Sequence, residues 1–203
     1  MTTTATLWTM ASGNAHKAGE IAALLQGAPV TIRSLPIGVE LPPETGRTLL
    51  ANAQIKARAV ALAAGGVALA DDTGLEVDAL GGEPGIFSAR YAGERATYHE
   101  NCTKLLERLT GIHGANRRAR FRCVLVLADA GGGELWAEGR VEGLILEAAR
   151  GTGGFGYDPL FLPDGESRSL AELSTDEKNA LSHRCRAVEN LRQQLERLGR
   201  WAP

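Results

Sequence analysis

Val67-Ala68-Leu69-Ala70-Asp71-Asp72-Thr73-Gly74-Leu75 is the stretch on which the reading of the fold turns. The apolar run Val67 to Ala70 ends in two acids, which reads as a short buried strand with an acidic tip. Adjacent carboxylates behind an apolar run lose hydration unless something compensates them. The carboxyl end of such a strand is also where open α/β sheets place ligands. Side chains alternate along an extended segment, so only one of the two acids faces a given site. A carboxylate there binds Mg²⁺ or takes a proton from attacking water. A polar strand end making turn hydrogen bonds fits the same residues.

Upstream, Arg47 to Ala64 is Ala-rich and helical, and Gly65-Gly66 stops it. Leu35 to Gly46 carries Pro36, Pro42 and Pro43 and reads as a loop. Ala5 to Ala11 is a short strand broken by Ser12-Gly13-Asn14. Ala15 to Gln26 is then a helix with Ile21, Leu24 and Leu25 on one face, and Val30 to Ser34 a strand. Downstream, Leu75 to Leu80 alternates as a separate strand, Gly81 to Gly93 is a Gly/Pro loop, and Glu94 to Leu109 a helix. Phe121 to Ala128 and Leu135 to Leu146 flank Gly131-Gly132-Gly133 as an antiparallel pair. A glycine loop, Gly151 to Gly156, precedes the short run Pro159 to Leu162. Ser174 opens the last helix with Glu177 as a capping box. Its apolar stripe is Leu181, Cys185, Val188, Leu191, Leu195 and Leu198. The alternation predicts an α/β fold with a mixed sheet and flanking helices, in one domain over 1–203. The Pro-rich and Gly-rich loops would line a cleft between two lobes.

Composition sets the outer limits. The 203 residues weigh 21.5 kDa, which suits one domain. Hydrophobic residues make up 44% and charged residues 23%, so a folded core rather than disorder is expected. A net charge of −2 carries no basic excess to hold a nucleic-acid backbone, yet leaves room for a free nucleotide. Cys102, Cys123 and Cys185 are odd in number and far apart, which suggests neither a disulfide framework nor a zinc site. The start, Met1 to Thr6, lacks the basic and apolar regions of a signal peptide. Ala59 to Ala70 is too short for a membrane span, which needs about 20 residues. A cytoplasmic protein without membrane contact is expected.

Four further segments carry candidate chemistry. Ser12-Gly13-Asn14-Ala15-His16-Lys17 joins a strand to a helix, where free backbone N–H groups and the helix dipole attract phosphate and Lys17 adds a full charge. An ordinary Ser/Asn cap with a surface lysine reads the same way. Glu44 stands in the Pro-bounded loop ahead of a helix on which Asn52 and Lys56 share a face; a solvated acid is the plain alternative. Gly151-Thr152-Gly153-Gly154-Phe155-Gly156-Tyr157-Asp158-Pro159 formally matches G-x-G-x-x-G. A dinucleotide fingerprint needs a helix directly after the glycines, and Pro159 argues against one there. Phe155 and Tyr157 offer a flat face to a base, unless both are core residues. Lys178 with Ser182, His183 and Arg184 forms one rim of the last helix, able to read a carbonyl-bearing base or to stand in solvent. No P-loop, H-E-x-x-H or G-x-S-x-G pattern is present.

Taken in order, these segments resemble the inosine/xanthosine triphosphate pyrophosphatase family. The matching residues are Ser12-Gly13-Asn14 with Lys17 and Glu20, Glu44-Thr45-Gly46 with Asn52-Ala53 and Lys56-Ala57, and Ala70 to Leu75. They continue through Gly81-Gly82-Glu83-Pro84-Gly85, Ser88-Ala89-Arg90-Tyr91, Gly154 to Pro159, Glu177-Lys178 and Ser182-His183-Arg184. The resemblance implies a two-lobed mixed α/β fold and a homodimer. It implies hydrolysis of ITP, dITP or XTP to the monophosphate and pyrophosphate with Mg²⁺ as cofactor. By that likeness Ser12, Gly13, Asn14, Ala15, His16, Lys17 and Lys56 would hold the phosphates. Glu44 and Asp72 would hold the metal, Asp72 would also accept the proton, and Thr73 would touch the substrate. Phe155, Gly156, Tyr157, Asp158, Lys178, His183 and Arg184 would hold the base. Ser12 stands where Thr is common and Thr73 where Ser is common, both keeping a hydroxyl. Pro43 precedes Glu44 where some relatives carry a second acid, which leaves the number of protein metal ligands open.

Overall fold

The computed structural model describes residues 6–201. The N-terminal reading at residues 1–5, including the start of the first predicted strand at Ala5, lies outside the described residues. Six strands form one sheet in the order β2-β1-β3-β4-β5-β6. They are β1 Thr6–Met10, β2 Val30–Arg33, β3 Val67–Val77, β4 Arg118–Asp129, β5 Glu134–Ile145 and β6 Phe161–Pro163. β1 pairs parallel with β2 and with β3, whereas β5 pairs antiparallel with β6, so the sheet is mixed. β4 and β5 are neighbours joined through residues 130–133, a link too short for a parallel crossover. The helices are α1 Ala15–Leu24, α2 Leu49–Ala64, α3 Tyr98–Arg108, α4 Thr175–Leu181 and α5 His183–Arg197. None of the described helices is long and apolar enough to cross a membrane, and all three cysteines are free thiols.

The caps explain the helix boundaries. The Thr48 side chain accepts from Ala51 N–H, so α2 begins at Leu49 rather than Arg47. It ends where Gly65 turns left-handed at φ 62°. Thr97 and Glu100 cap each other reciprocally, which moves the start of α3 to Tyr98. Ser174 and Glu177 form the expected capping box at α4.

Two expectations are corrected. The acidic tip does not end a strand: β3 runs on through Asp71, Asp72 and Gly74 to Val77. The reason is that both acids find cationic partners, described below, so the backbone need not leave the sheet to hydrate them. The last helix is two. Ser182 adopts extended angles, φ −71° and ψ 158°, and ends α4 before α5 begins. The predicted stripe therefore divides: Leu181 packs with one core, Val188, Leu191 and Leu195 with another, and Leu198 is exposed.

The chain divides into two compact units. The first gathers the chain up to Asp72, Cys123–Gly139 and the chain from Arg184 on. Its core packs Trp8, Met10, Ile21, Leu69, Leu125 and Leu191. The second comprises Thr73–Arg122 and Arg140–His183. Its core includes Leu75, Leu105, Phe121, Leu160 and Phe161. Burying such side chains is worth about 1.5–3 kcal/mol each, which offsets much of the ordering entropy of each unit.

Candidate active site

In the first unit, β3 presents Asp71 and Asp72 to opposite faces of the strand. Under α2, the Lys56 ammonium donates to Glu44 Oε1 at 2.7 Å, Asp72 Oδ1 at 2.8 Å and the Asp71 carbonyl at 2.8 Å. An ammonium has three donors, and all three are engaged. Lys56 and Asp72 are each only 6% exposed. Burial works against the charged lysine, but Asp72 and Glu44 outweigh it and raise its pKa. Burial lifts the Asp72 carboxyl to about 6, with Lys56 and Lys17 opposing the rise and Glu44 adding to it. Two carboxylates thus converge on one cationic centre.

On the other face of the strand, Asp71 is 1% exposed and lies 2.8 Å from Lys17 Nζ and 3.5 Å from Arg184 Nε. Cys123 donates its thiol proton to Asp71 Oδ2 at 3.1 Å. Arg184 also donates to Glu20 Oε2 at 2.7 Å. Burial alone would raise the Asp71 pKa, yet the charges of Lys17 and Arg184 hold it far below the usual carboxylate range. Each acid of the pair therefore holds one of the two lysines that the sequence assigns to phosphate.

The turn into α1 is built by Asn14. Its side chain accepts from His16 N–H at 3.0 Å and Lys17 N–H at 3.3 Å, while Asn14 N–H donates to Ser12 Oγ at 3.2 Å. The expectation of free N–H groups at this helix start is therefore modified, because Asn14 takes two of them itself. Gly13, Ala15 and His16 are exposed, and Ser12 is half-buried.

The second unit holds the remaining candidates. Its glycine loop is wound around the Asp158 carboxylate, which accepts from Phe155 N–H at 2.8 Å and from Lys178 Nζ at 2.6 Å. Gly154 has φ 68°, and a Cβ there would lie 2.2 Å from Asp158 Oδ2. Lys178 Nζ also sits 4.6 Å above the centre of the Phe155 ring, and Tyr98 packs on that ring at 6.0 Å. Tyr157 is 4% exposed, belongs to the core, and donates its hydroxyl proton to the Ser88 carbonyl at 2.9 Å. His183 is 2% exposed and stacks on Phe121 at 4.9 Å and 15°. Cys102 donates to the Gly156 carbonyl at 3.4 Å, and Thr73 is half-buried. Lys178 is thus the element that fixes both the carboxylate and the aromatic ring.

Within the first unit the structure brings Glu44, Lys56 and Asp72 together, and Lys17 with Arg184. Within the second it brings Phe155, Asp158 and Lys178 together. The rim Lys178, Ser182, His183 and Arg184 is not a solvated face, since all four are at most 4% exposed. Sequence reading gave no role to Asp71, Glu20, Cys123, Tyr98 or Ser88. Strand alternation placed Asp71 opposite Asp72, but nothing local names a partner so distant in the chain as Arg184.

The Ham1 family model matches residues 8–194. The dITP/XTP pyrophosphatase of Elusimicrobium minutum is 49% identical over 193 residues, covering 92% of this chain and 98% of that protein. That of Deinococcus deserti is 50% identical over 182 residues, covering 90% and 86%. Among solved structures, a HAM1 protein from Coxiella burnetii superposes with a TM-score of 0.86 at 40% identity, covering 95% of this chain and 99% of its own. Matches of this extent over both units, with the six-stranded mixed sheet, place the chain in the Ham1 family.

Proposed function

We propose that this protein hydrolyses non-standard purine nucleoside triphosphates, ITP, dITP and XTP, to the monophosphate and pyrophosphate. The observation that carries the reading is the convergence of Glu44 and Asp72 on the Lys56 ammonium. Relatives named dITP/XTP pyrophosphatases, matched over about nine tenths of the chain, support it. Glu44 and Asp72 are the residues that would hold Mg²⁺. They fit, because two oxygen ligands already gather around one cation, and Mg²⁺ needs only one or two carboxylates beside water and phosphate oxygens. Among the described residues no group of three or more His, Cys, Asp or Glu is arranged to hold a metal. When bound, the metal supplies positive charge that offsets the triphosphate and the departing pyrophosphate.

The chain's own residues do the rest. Lys17 and Lys56 bring positive charge to the phosphates, and Ser12, Gly13, Asn14, Ala15 and His16 shape the backbone around them. Asp72 takes a proton from the attacking water on a carboxylate oxygen. Thr73, the next residue, offers a hydroxyl to the substrate. Phe155, Gly156, Tyr157, Asp158, Lys178, His183 and Arg184 select the base. Lys178 and Phe155 act through their cation–ring pair, Asp158 by holding Lys178, and Tyr157 by bracing the loop from the core. Arg184 contributes through its grip on Asp71 and Glu20. Donors of this kind favour the 6-keto group of hypoxanthine and xanthine. A 6-amino group would leave a donor unpaired, at a cost of about 1–3 kcal/mol.

Product analysis after incubation with ITP and Mg²⁺ tests the reading. IMP and pyrophosphate are expected, with kcat/KM for ITP at least about tenfold above that for ATP, as the unpaired-donor cost implies. ITP and XTP are also expected to outrun GTP. IDP with orthophosphate as products, or equal kcat/KM for ITP and GTP, would overturn it. The same reading takes the chain as one domain working as a cytoplasmic homodimer, which sedimentation of the purified protein checks.

A further inference from the structure

We infer that Asn52 is a positioning residue that sets where Glu44 stands, acting through Gly46. This rests on the reading of Glu44 as a metal ligand given above. Asn52 lies in α2 one helical turn before Lys56, on the same buried face. It is 0% exposed, so it reaches bound substrate or metal only through other residues. Its Oδ1 accepts the N–H of Gly46 at 2.8 Å. Gly46 lies two residues after Glu44 on the loop that enters α2, and Glu44 Oε1 in turn accepts a hydrogen bond from the Lys56 ammonium at 2.7 Å. Thr48 carbonyl accepts from Asn52 N–H at 3.1 Å. The loop is therefore tied at Gly46 and Thr48 to one residue of the helix, and at Glu44 to another.

Sterics point the same way. A Cβ on Gly46 would meet Asn52 Oδ1 at 2.6 Å, Ala51 Cβ at 2.8 Å and Asn52 N at 2.9 Å. Two of these three atoms belong to helix backbone or to a rigid methyl, so the loop would have to move. The loop approaches this close only because residue 46 has no side chain. Asn52 Nδ2, in contrast, has no hydrogen-bond partner among the described residues. A buried amide with its donor unmet is unfavourable, and packing alone does not explain it. What the amide does make is one bond, and that bond ends on the loop that carries Glu44. A Leu would fill the space without the tie. An Asp would place a further carboxylate one turn from Lys56, in competition with Glu44 and Asp72.

Two substitutions at opposite ends of the same hydrogen bond test the inference. Asn52→Ala removes the acceptor. Gly46→Ala, in a half-exposed loop position, keeps Asn52 and pushes the loop away, so it remains informative if Asn52→Ala folds poorly. Each is measured in two ways. Mn²⁺ alone is titrated into the nucleotide-free protein and followed by loss of the free-ion EPR signal. Separately, ITP hydrolysis is recorded against Mg²⁺ concentration. Outer residues that orient metal ligands change metal affinity by about 10–100-fold. Both variants are expected to weaken Mn²⁺ binding, and to raise the half-saturating Mg²⁺, at least about tenfold. KM for ITP at saturating Mg²⁺ is expected to stay within about threefold, since the base-reading residues are untouched. Glu44→Gln is the reference. If Glu44→Gln binds Mn²⁺ as the wild type does, Glu44 is no ligand and both readings fall. If Glu44→Gln weakens binding while Gly46→Ala and any folded Asn52→Ala leave it unchanged, only the positioning role falls.

Discussion

Asp72→Asn is expected to slow pyrophosphate release from ITP by at least about 100-fold at saturating Mg²⁺, the lower end of what general-base help supplies. The substitution is chosen because it changes little else. Asn has the same size and keeps an Oδ1 acceptor for the Lys56 ammonium, now 2.8 Å away. Glu44 Oε1 and the Asp71 carbonyl still accept the other two Lys56 protons. The lysine therefore stays placed, and the Leu75 and Val77 packing farther along β3 is untouched. What disappears is the negative charge and the ability to take up a proton. A loss of turnover with a nearly unchanged melting temperature would locate the effect in the chemistry. Turnover within about threefold of wild type, far short of what losing a general base costs, would show that Asp72 is neither base nor ligand.

How far the residues announce this arrangement differs between its parts. The strand–acid junction at Ala70-Asp71-Asp72 was legible, because an apolar run ending in charge has few structural explanations. So was the shared face of Asn52 and Lys56, since a spacing of four fixes it in any helix. The continuation of β3 past the acids was not. Local reasoning sees two charges that ought to leave the sheet. It cannot see that Lys56 and Lys17 come from other elements to pair with them. The break at Ser182 was hidden for a similar reason. Ser174 and Glu177 announce a helix start, and the apolar spacing afterwards is helical on both sides of the break. The extended backbone at Ser182 and the division of Leu181 and Val188 between different cores reveal it. Lys178, His183 and Arg184 read as a polar rim because charged residues are rarely buried. Their burial depends on Asp158, Phe121, Glu20 and Asp71, each distant in the chain.

Asp71→Asn should be the most damaging of these substitutions for stability, although the residue takes no part in the proposed chemistry. The wild-type carboxylate is buried against Lys17 and Arg184, and breaking a buried ion pair from one side costs about 3–5 kcal/mol because charge is left unbalanced. Glu20 still pairs with Arg184, which places the loss toward the lower end of that range. The pH dependence separates this role from simple packing. Burial raises the Asp71 pKa, but the two cations more than reverse it, so the folded-state pKa lies below the unfolded value of about 3.9. Stability from such a group is fully present above the unfolded pKa and is lost as pH falls below it. The gap in unfolding free energy between wild type and Asp71→Asn is therefore expected to be widest above about pH 5 and to narrow steadily below about pH 4. Urea titrations at a series of pH values measure it. Curves that stay parallel down to acid conditions would mean that Asp71 stabilises by shape, and that Lys17 and Arg184 do not depend on its charge.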